Sequence, residues 1–486
     1  MAFKHGVYVS EKPTAVTPPV QTTAGLPVVF GTAPVHLATD PAKANRPILC
    51  YTYAEAVQQL GYSDDWSKYT LCEVMYSQFA LYGYAPVVFV NVLDPAKHKK
   101  TTSKKSATVS QSQVVLDAPV LLDTLKVYKT EAAQAAVQGT DYEAAYNDDN
   151  QLVISILDDG ALKGAATVLL DYDELDPGAV KKDDIIGGID SATGSPKGLE
   201  CISQVFPLTR IVPGLLLAPG WSEDPEVAAI MSAKADNING LFRAIALVDL
   251  PADSQITKYS DAPAWKNKNN YTNTLEYVCW PKAKMGDHIY HMSTHVLGAI
   301  ATADAANGDI PSQSPSNKSI QATGLCLDDG TEVVLDLQQA EYLNGQGINT
   351  GLNFTSGWVL YGNRMACYPG NTDPKDNFIN IRRMFNWQRQ TFILTYWQLL
   401  DSNLTWRLMN AIIDSEGIRL NALVASQDLL GAEITARRDE NPDTELMNGH
   451  VKFHTYFTPP TVAEKIQDEL EFSTKYFDGL FGGTAA

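Results

Sequence analysis

The sequence lacks any long hydrophobic run. No window of the 486 residues approaches the ~18 consecutive apolar residues that a membrane-spanning helix needs. The opening, MAFKHGVYVSEKPTAVTPP, has no apolar core of signal-peptide length. We therefore expect no membrane insertion, and we expect the chain to be made and folded in the bacterial cytoplasm.

Cysteine is scarce, and its few copies are widely separated. Zinc ribbons and disulfide frameworks place cysteines at short, regular spacings. This chain has six cysteines, and no two of them are close in sequence: Cys50, Cys72, Cys201, Cys279, Cys326 and Cys367. The distribution argues against both kinds of site and fits synthesis in a reducing compartment.

Basic residues are outnumbered by acidic ones. The chain has 37 Lys and Arg against 56 Asp and Glu, which gives a net charge of -19. A surface of this sign repels nucleic acid phosphates and anionic lipid headgroups. We therefore predict no nucleic acid partner. The charge suits the outside of a large assembly, where repulsion keeps particles dispersed.

Motifs of common catalytic sites are also absent. The sequence contains neither a GxxxxGK phosphate loop nor a GxSxG nucleophile turn. A strand, helix, strand unit predicted near residues 210–250 carries APGWSEDP at its turn, with acidic residues where a phosphate needs neutral amides. We predict that the protein is not an enzyme and uses no cofactor.

One group of histidines leaves an alternative open. His288, His291 and His295 have the spacing i, i+3, i+7, which on a helix would bring three imidazoles near one face. With Asp287 they would form a zinc site. The alternative function is therefore an α/β metal-dependent hydrolase, whereas a polar, partly buried loop is the interpretation we favour.

What the sequence does contain is material for several folded domains. Apolar residues make up 45% of the chain, and its length exceeds what one hydrophobic core usually covers. We predict an α+β or α/β multidomain protein with an inserted all-β domain. The predicted division, read from changes in hydrophobic pattern, is an N-terminal arm (1–22), a core α/β domain in two parts (23–95 and 201–330), a β-rich insertion (96–200), a C-terminal domain (331–472) and a C-terminal arm (473–486).

Alternation of apolar residues predicts most strands of the insertion. The predicted strands cover residues 113–116, 125–129, 151–157 and 165–171. Asp158, Asp159 and Gly160 are predicted to form a hairpin turn. The preceding KHKKTTSKKS is interpreted as a basic, Ser- and Thr-rich linker.

The C-terminal domain is predicted to be two helices on a small sheet. Val451, Phe453, Thr455 and Phe457 alternate with polar residues and predict one strand, and a second strand would contain Ile466 and Leu470. Gly431 is predicted to end the preceding helix. Two strands alone leave both edges of the sheet open, and open edges pair with other chains.

The two arms are candidate donors for those open edges. Strand addition by a segment from another molecule uses short apolar sequences on flexible tethers. The candidate donor residues are Gly6, Val7, Tyr8 and Val9 at one end and Tyr476, Phe477, Leu480 and Phe481 at the other. Disordered termini are the alternative.

Several longer segments resemble contractile tail sheath proteins of phage tails and bacteriocin particles. The resemblance covers GVYVSEKP with TTAGLPVVFGTAPV, GTDYEAAY with DDIIGG, LAPGWSEDPEV with AIALVDLP, HMSTHVLGAIATADAANGD with PSNKSI, and LNGQGINTGLNFTSGWVLYGNRM with NFINIRRMFNWQRQTF. Their order along the chain matches the family. Where the family commonly has a GARTL-like segment, this chain has YGNRMA.

The resemblance implies a structural subunit. Such subunits polymerise helically around an inner tube in a metastable extended state and contract to drive the tube through a target cell envelope. Their C-terminal domains lie next to the tube and exchange strands between subunits, and the inserted domain lies outside. The implied partners are further copies of the chain, the inner tail tube protein, and baseplate and tail terminator proteins.

A cluster of arginines is the candidate tube-facing surface. Arg382, Arg383 and Arg389 lie at the start of a predicted helix in an otherwise acidic chain. They would suit an acidic partner such as the inner tube. A solvated helix face is the alternative.

Overall fold

The structure is a computed structural model, and it describes residues 24–481. The predicted donor residues Gly6, Val7, Tyr8 and Val9 lie outside the described residues. Within residues 24–481, no helix is both long enough and apolar enough to cross a lipid bilayer.

The described residues form a mixed α/β structure with several sheets. In chain order the strands are β1 (Pro27–Gly31), β2 (Ile48–Cys50), β3 (Val87–Asn91), β4 (Lys99–Thr108), β5 (Gln113–Leu116), β6 (Lys126–Tyr128), β7 (Tyr142–Tyr146), β8 (Leu152–Ile156), β9 (Thr167–Leu175), β10 (Gly188–Ile189), β11 (Pro196–Lys197), β12 (Leu215–Leu217), β13 (Ile245–Asp249), β14 (Glu276–Cys279), β15 (Lys282–Met285), β16 (His288–Tyr290), β17 (Gly324–Cys326), β18 (Glu332–Val333), β19 (Ile348–Phe354), β20 (Gly357–Tyr361), β21 (Gly431–Thr435) and β22 (His454–Thr458). The helices are α1 (Tyr53–Leu60), α2 (Thr70–Met75), α3 (Lys182–Ile186), α4 (Ile202–Thr209), α5 (Pro225–Asp236), α6 (Ala262–Lys268), α7 (Met292–Ala306), α8 (Leu337–Asn344), α9 (Pro374–Asn377), α10 (Ile379–Tyr396), α11 (Trp406–Ala425) and α12 (Asp443–Met447).

The main core is built on an eight-stranded sheet with the order β2-β3-β1-β12-β13-β14-β19-β20. Its inner strands are parallel, and the two edge strands β2 and β20 are antiparallel to their neighbours. Parallel strands are covered by helices on both faces, so their sequences are almost entirely apolar. Every residue of β1, β3, β12 and β13 is buried accordingly. The apolar, β-branched runs at residues 26–31 and 86–92 predict strands from the sequence alone, and they form β1 and β3.

Capping residues start two of the core helices. Thr52 caps α1 by accepting a hydrogen bond from the backbone N–H of Glu55 at 3.1 Å. Asp224 caps α5 by accepting from the backbone N–H of Glu226 at 2.9 Å, with Pro225 at the first helical position. Helix α2 continues as a π-helical segment, Tyr76–Leu81, so this helical stretch has two geometries.

A second, smaller core lies in residues 99–175, which we call the insertion. Two three-stranded sheets, β4-β9-β6 and β5-β8-β7, enclose a separate hydrophobic cluster that contains Val127, Ile154 and Leu170. The interpretation of KHKKTTSKKS as a linker is wrong, because most of it forms the edge strand β4. Lysines on an edge strand commonly prevent it from pairing with other chains. Because they interrupt the alternation of apolar residues, the strand is not recognised from that pattern.

Two other expectations about this region also differ from the structure. Asp158, Asp159 and Gly160 do not form a hairpin turn between paired strands, because β8 and β9 lie in different sheets. After β9 the chain returns to the main core, since Val180, Ile185 and Leu199 pack there. The predicted insertion, 96–200, therefore extends beyond the insertion's own core.

The last part of the chain has its own cluster. Helices α10 and α11 pack on β21 and β22 around residues that include Met384, Leu420 and Ile434. Strands β19 and β20 belong to the main sheet, although the predicted C-terminal domain began at residue 331. The difference arises because strands that neighbour each other in a parallel sheet are distant in sequence.

Candidate assembly surface

Within residues 24–481, the C-terminal sheet consists of β21 and β22 alone. They pair antiparallel with the register Gly431 to Thr458 through Thr435 to His454. The predicted strand was half right, because Thr455 and Phe457 lie in β22 whereas Val451 and Phe453 precede it. The partner strand β21 was missed. Gly431, which was predicted to end a helix, starts this strand, and α11 already ends at Ala425.

Missing β21 led to the wrong partner for β22. The sequence predicted a second strand containing Ile466 and Leu470, and the structure places no strand there. The signal that would have found β21 is the GAEIT sequence, in which Ala432 and Ile434 contact the cluster and alternate with Glu433 and Thr435.

One face of this sheet is covered by the helices. The ring centroids of Phe457 and Phe385 are 4.4 Å apart, and those of Phe453 and Phe392 are 6.4 Å apart. Both outer edges carry no strand within residues 24–481. The exposed side chains of Leu430 and Tyr456 lie in or beside these strands. An isolated two-stranded sheet with open edges is a template for pairing with another chain.

The segment that follows β22 exposes large apolar side chains. We call residues 461–481 the tail. Ile466 is 89% exposed, Leu470 is 93% exposed and Phe472 is 79% exposed. Burying one such side chain contributes about 1.5–3 kcal/mol, so a partner surface that covers all three would bind with substantial free energy. Exposed apolar clusters of this kind mark interaction sites.

The base of the tail is fixed to the main core. Arg364 holds the carboxylate of Glu464 in a two-pronged ion pair, with Nε donating to Oε1 at 2.7 Å and Nη2 donating to Oε2. The guanidinium also lies 4.0 Å from the ring centroid of Phe378. Side-chain Nδ2 of Asn380 donates to the carbonyl of Pro460 at 3.3 Å. The exposed part of the tail therefore starts from a defined point.

The end of the tail is helical in the single chain. Tyr476, Phe477, Leu480 and Phe481 lie in a 3₁₀-helix, Thr474–Phe481, although the sequence proposed them as donors of an extended strand. The side chains of Tyr476, Phe477 and Leu480 are exposed, and the rings of Phe472 and Phe477 pack 5.8 Å apart. A short 3₁₀-helix is a weak structure that an extended partner surface can replace.

Two of the three candidate tube-facing arginines are occupied inside the chain. Arg383 is 3% exposed and forms a two-pronged ion pair with Asp304 of α7, with one contact at 2.9 Å. Arg382 is also buried and pairs with Asp376 at 3.2 Å. Neither guanidinium is available to a tube, so this part of the prediction is corrected.

Arg389 is the exposed member of the three. Its Nε donates to the carbonyl of Leu241 at 2.7 Å, and the rest of the side chain faces solvent. The sequence periodicity of α10 did not show that Arg389 is exposed while Arg382 and Arg383 are buried, because many of the buried residues of this helix are polar. Arg389 stays a candidate for contact with a partner.

The three histidines do not share a helical face. His288 lies in β16 and stacks on Trp66 at 4.5 Å, whereas His291 precedes the first turn of α7 and His295 lies within that helix. Nδ1 of His295 is 2.8 Å from the hydroxyl of Tyr82. Within residues 24–481, no group of three or more His, Cys, Asp or Glu residues could hold a metal ion. The hydrolase alternative therefore gains no support.

His291 instead belongs to a buried ionic network at the carboxyl edge of the main sheet. Glu73 accepts from the backbone N–H of His291 and contacts its Nδ1, both at 2.7 Å. Nε2 of the same ring is 3.4 Å from Glu223, which also pairs with Lys282 at 3.4 Å. Burial opposes the charged ring, but the two carboxylates prevail and raise the pKa of His291 to about 10.

This network fills the place where open α/β sheets bind ligands. The turn after β12 holds Gly220, and the imidazole of His291 lies 3.6 Å from where a Cβ of that glycine would stand. Crevices at the carboxyl ends of parallel strands are the usual ligand sites of such folds. Here charged side chains of the chain itself occupy the position, which favours a structural role.

Comparison with known proteins finds similarity along nearly the whole chain. The tail sheath protein of Burkholderia phage BcepMu is 25% identical over an alignment of 494 positions, which covers 99% of this chain and 99% of the relative. No family model matches the chain.

Solved structures show the same fold. The sheath complex of the PVC extracellular contractile injection system, in its contracted state, has a TM-score of 0.57 at 12% identity and covers 98% of this chain and 99% of its own. The contracted helical sheath of the anti-feeding prophage has a TM-score of 0.56 at 13% identity, and the match covers 96% of this chain and 98% of the sheath chain. The predicted resemblance to contractile tail sheath proteins is thereby confirmed: the chain is similar over 99% of its length to a phage tail sheath protein, and it shares its fold with solved contractile sheath proteins.

Proposed function

We propose that this chain is the subunit of a contractile tail sheath in a virion tail or tail-like particle. Copies polymerise helically around an inner tube, persist in an extended metastable state and contract to drive the tube through a target cell envelope. The observation that carries this proposal is the open-edged sheet of β21 and β22 beside a tail with exposed apolar side chains. The full-length likeness to a tail sheath protein supports it.

The proposed joint between subunits is strand addition. Strands β21 and β22 each have 5 residues. A donated strand of that length would form about five backbone hydrogen bonds at about 1 kcal/mol each. The apolar side chains of Ile466 and Leu470 would add their burial. Such a joint holds while the bodies of the subunits rotate.

The donors are the arm with Gly6, Val7, Tyr8 and Val9 and the tail. We now assign Ile466 and Leu470 to the donor, because they are exposed and unpaired with any strand within residues 24–481. Tyr476, Phe477, Leu480 and Phe481 follow in the same tail. The acceptor is the sheet of β21 and β22. Thr455 and Phe457 lie in β22, as predicted, and β21 replaces the second strand that was predicted from the sequence.

Contraction would then come from a change of contacts between rigid bodies. A head-to-tail interface that does not close generates a helical filament. The extended form would persist because a barrier separates it from the better-packed contracted form. Arg389 is the candidate contact with the inner tube, and baseplate and tail terminator proteins would bind the two ends of the polymer. A structural role of this kind needs no catalytic site and no cofactor.

Assembly of purified variants tests the proposal. The double substitution Ile466→Asp and Leu470→Asp should leave a folded monomer that forms no tubes in negative-stain images. Deletion of residues 1–15 should have the same effect. Val137→Asp is the matched control, since Val137 is an exposed apolar residue of the insertion. Tubes of normal length from the tail variant and the deletion variant would overturn strand addition.

A further inference from the structure

One carboxylate interrupts the apolar alternation of the tail. In an extended strand, every second side chain points to the same face. Ile466, Asp468 and Leu470 would therefore share one face, and Glu469 would lie on the other. Asp468 is exposed and forms no ion pair within residues 24–481. If strand addition buries Ile466 and Leu470, it also buries the carboxylate between them, which then needs a cation beside it.

The free edge of β22 lies beside helix α10. Helix α11 packs on β21, whereas α10 packs on β22 through the ring contacts of Phe385 with Phe457 and of Phe392 with Phe453. The free edge of β22 is the one that faces away from β21. A strand added there would extend the sheet away from α11 and would lie over the next side chains around α10.

Those next side chains include Arg389. Successive residues of an α-helix are rotated by about 100°, so Arg389 lies about 40° from Phe385 around the axis of α10. Gln388 lies about 60° from Phe385 in the opposite direction, and its Nε2 donates to Glu416 of α11 at 2.6 Å. Arg389 is therefore on the side of Phe385 that is turned away from α11, where an added strand would run.

The spacing along the two elements also fits. Along α10, at about 1.5 Å per residue, Arg389 lies about 6 Å beyond Phe385 and about 4.5 Å before Phe392. Along a strand, at about 3.4 Å per residue, Asp468 lies about 7 Å from each of the apolar side chains that flank it on its face. One register therefore places the carboxylate over the guanidinium and the apolar side chains beside the two rings.

The guanidinium of Arg389 lies near a second guanidinium and has no carboxylate of its own. Its Nε donates to the carbonyl of Leu241, and no acidic residue within residues 24–481 pairs with it. The neighbouring Arg243 is held by Asp236 at 2.8 Å. Burial and the charge of Arg243 lower the pKa of Arg389, against the opposite effect of Asp236. A carboxylate placed here would be attracted by both arginines.

Building on the proposed strand addition, we propose that Arg389 pairs with Asp468 in the tail of another copy. The pair directs the tail to the free edge of β22 and fixes its register, because a slip by one residue would turn the apolar face to solvent and a slip by two would separate the charges. Residues 6–9 of the arm contain no carboxylate. The pair therefore also distinguishes the tail from the arm at this edge.

Charge exchange tests the pair. We expect Asp468→Arg and Arg389→Glu each to raise the critical concentration for tube formation by on the order of tenfold, because like charges then face each other. The double variant should assemble within about threefold of the native chain, as should a 1:1 mixture of the two single variants, since the pair joins different copies. Glu469→Arg is the matched control. It makes the same change of charge on the other face of the strand, and its effect should stay below about threefold.

Peptide binding covers the case in which a variant chain fails to fold. Fluorescence anisotropy with the native chain compares peptides of residues 461–481 that carry either Asp468→Arg or Glu469→Arg. We expect the first peptide to bind on the order of tenfold more weakly than the second. Equal binding of the two peptides would overturn the pair, as would a folded double variant that forms no tubes.

Two further outcomes separate this pair from the rest of the proposed function. If Arg389→Glu impaired assembly and Asp468→Arg did not, the pair would be overturned, and the arginine would contact another partner such as the inner tube. If both single variants formed normal tubes while the Ile466→Asp and Leu470→Asp variant formed none, the pair would be overturned and strand addition would stand.

Discussion

At the scale of single residues, buried charges hold the helices of this chain in place. Arg383 connects α10, in the C-terminal cluster, to Asp304 in α7 of the main core. His291 connects α7 to α2 through Glu73. Each of these charges is largely removed from water, so the opposite charge beside it offsets the cost of burial. The sequence alone showed arginines and histidines but not which of them are paired.

Removing the Arg383 charge should destabilise the monomer strongly. We expect Arg383→Met to lower the free energy of unfolding by about 3–5 kcal/mol, because Asp304 would be left buried without a cation. Arg437→Met, which breaks an exposed pair with Asp439, should cost far less, because solvent screens that pair. Denaturant unfolding followed by circular dichroism measures both. Equal costs would show that the Arg383 pair is not effectively buried.

The stabilisation by His291 should depend on pH with a defined sign. The folded-state pKa is raised from 6.5 to about 10, so the contribution is fully present below about pH 6.5, declines above it and is lost as the pH passes about 10. The difference in unfolding free energy between the native chain and His291→Gln should therefore shrink from pH 7 to pH 10. A His291 difference that grows with pH would contradict the ionic network.

At the scale of elements, the sequence predicted the buried parallel strands well and the C-terminal sheet poorly. Strands β1 and β3 are continuous apolar runs that only a sheet covered on both faces explains. Strand β4 was not predicted because its many lysines interrupt the apolar pattern. Strand β21 was not predicted because its first residue, Gly431, was interpreted as the end of a helix. The tail shows strand alternation at Ile466 and Leu470, but within residues 24–481 it pairs with no strand. The strand pairing between molecules that we propose would leave such a pattern in the sequence without a strand in the monomer.

A peptide with the tail sequence should bind the monomer and block its assembly. We expect a peptide of residues 461–481 to reduce tube formation, because it would occupy the open edge of β21 or β22. The same peptide with Asp in place of Ile466 and Leu470 should bind at least about tenfold more weakly, since two apolar side chains no longer become buried. Fluorescence anisotropy measures both affinities. Equal binding of the two peptides would exclude apolar burial as the source of affinity.

At the scale of the whole molecule, net charge opposes assembly. Each copy carries a net charge of -19, so a polymer brings many like charges together. Salt shortens the range of this repulsion to about 8 Å at physiological ionic strength. We therefore expect the proposed joints between subunits to depend on hydrogen bonds and apolar burial, with repulsion keeping separate particles apart.

Polymerisation should accordingly become easier as salt is added. We expect the critical concentration for tube formation to fall when the ionic strength rises from about 20 mM to about 150 mM, because screening weakens repulsion between copies. Sedimentation of tubes at a series of protein concentrations measures it. A critical concentration that rises with salt would mean that ion pairs between subunits dominate assembly.

The account as a whole depends on a sheet that one molecule leaves unfinished. Helical reconstruction of tubes formed by the full chain, at a resolution that shows individual strands, measures this directly. We predict that β21 and β22 gain at least one strand from another subunit and that the sheet surrounds a hollow lumen. A reconstruction in which both edges stay unpaired, or in which each tail folds back onto its own subunit, would contradict the account.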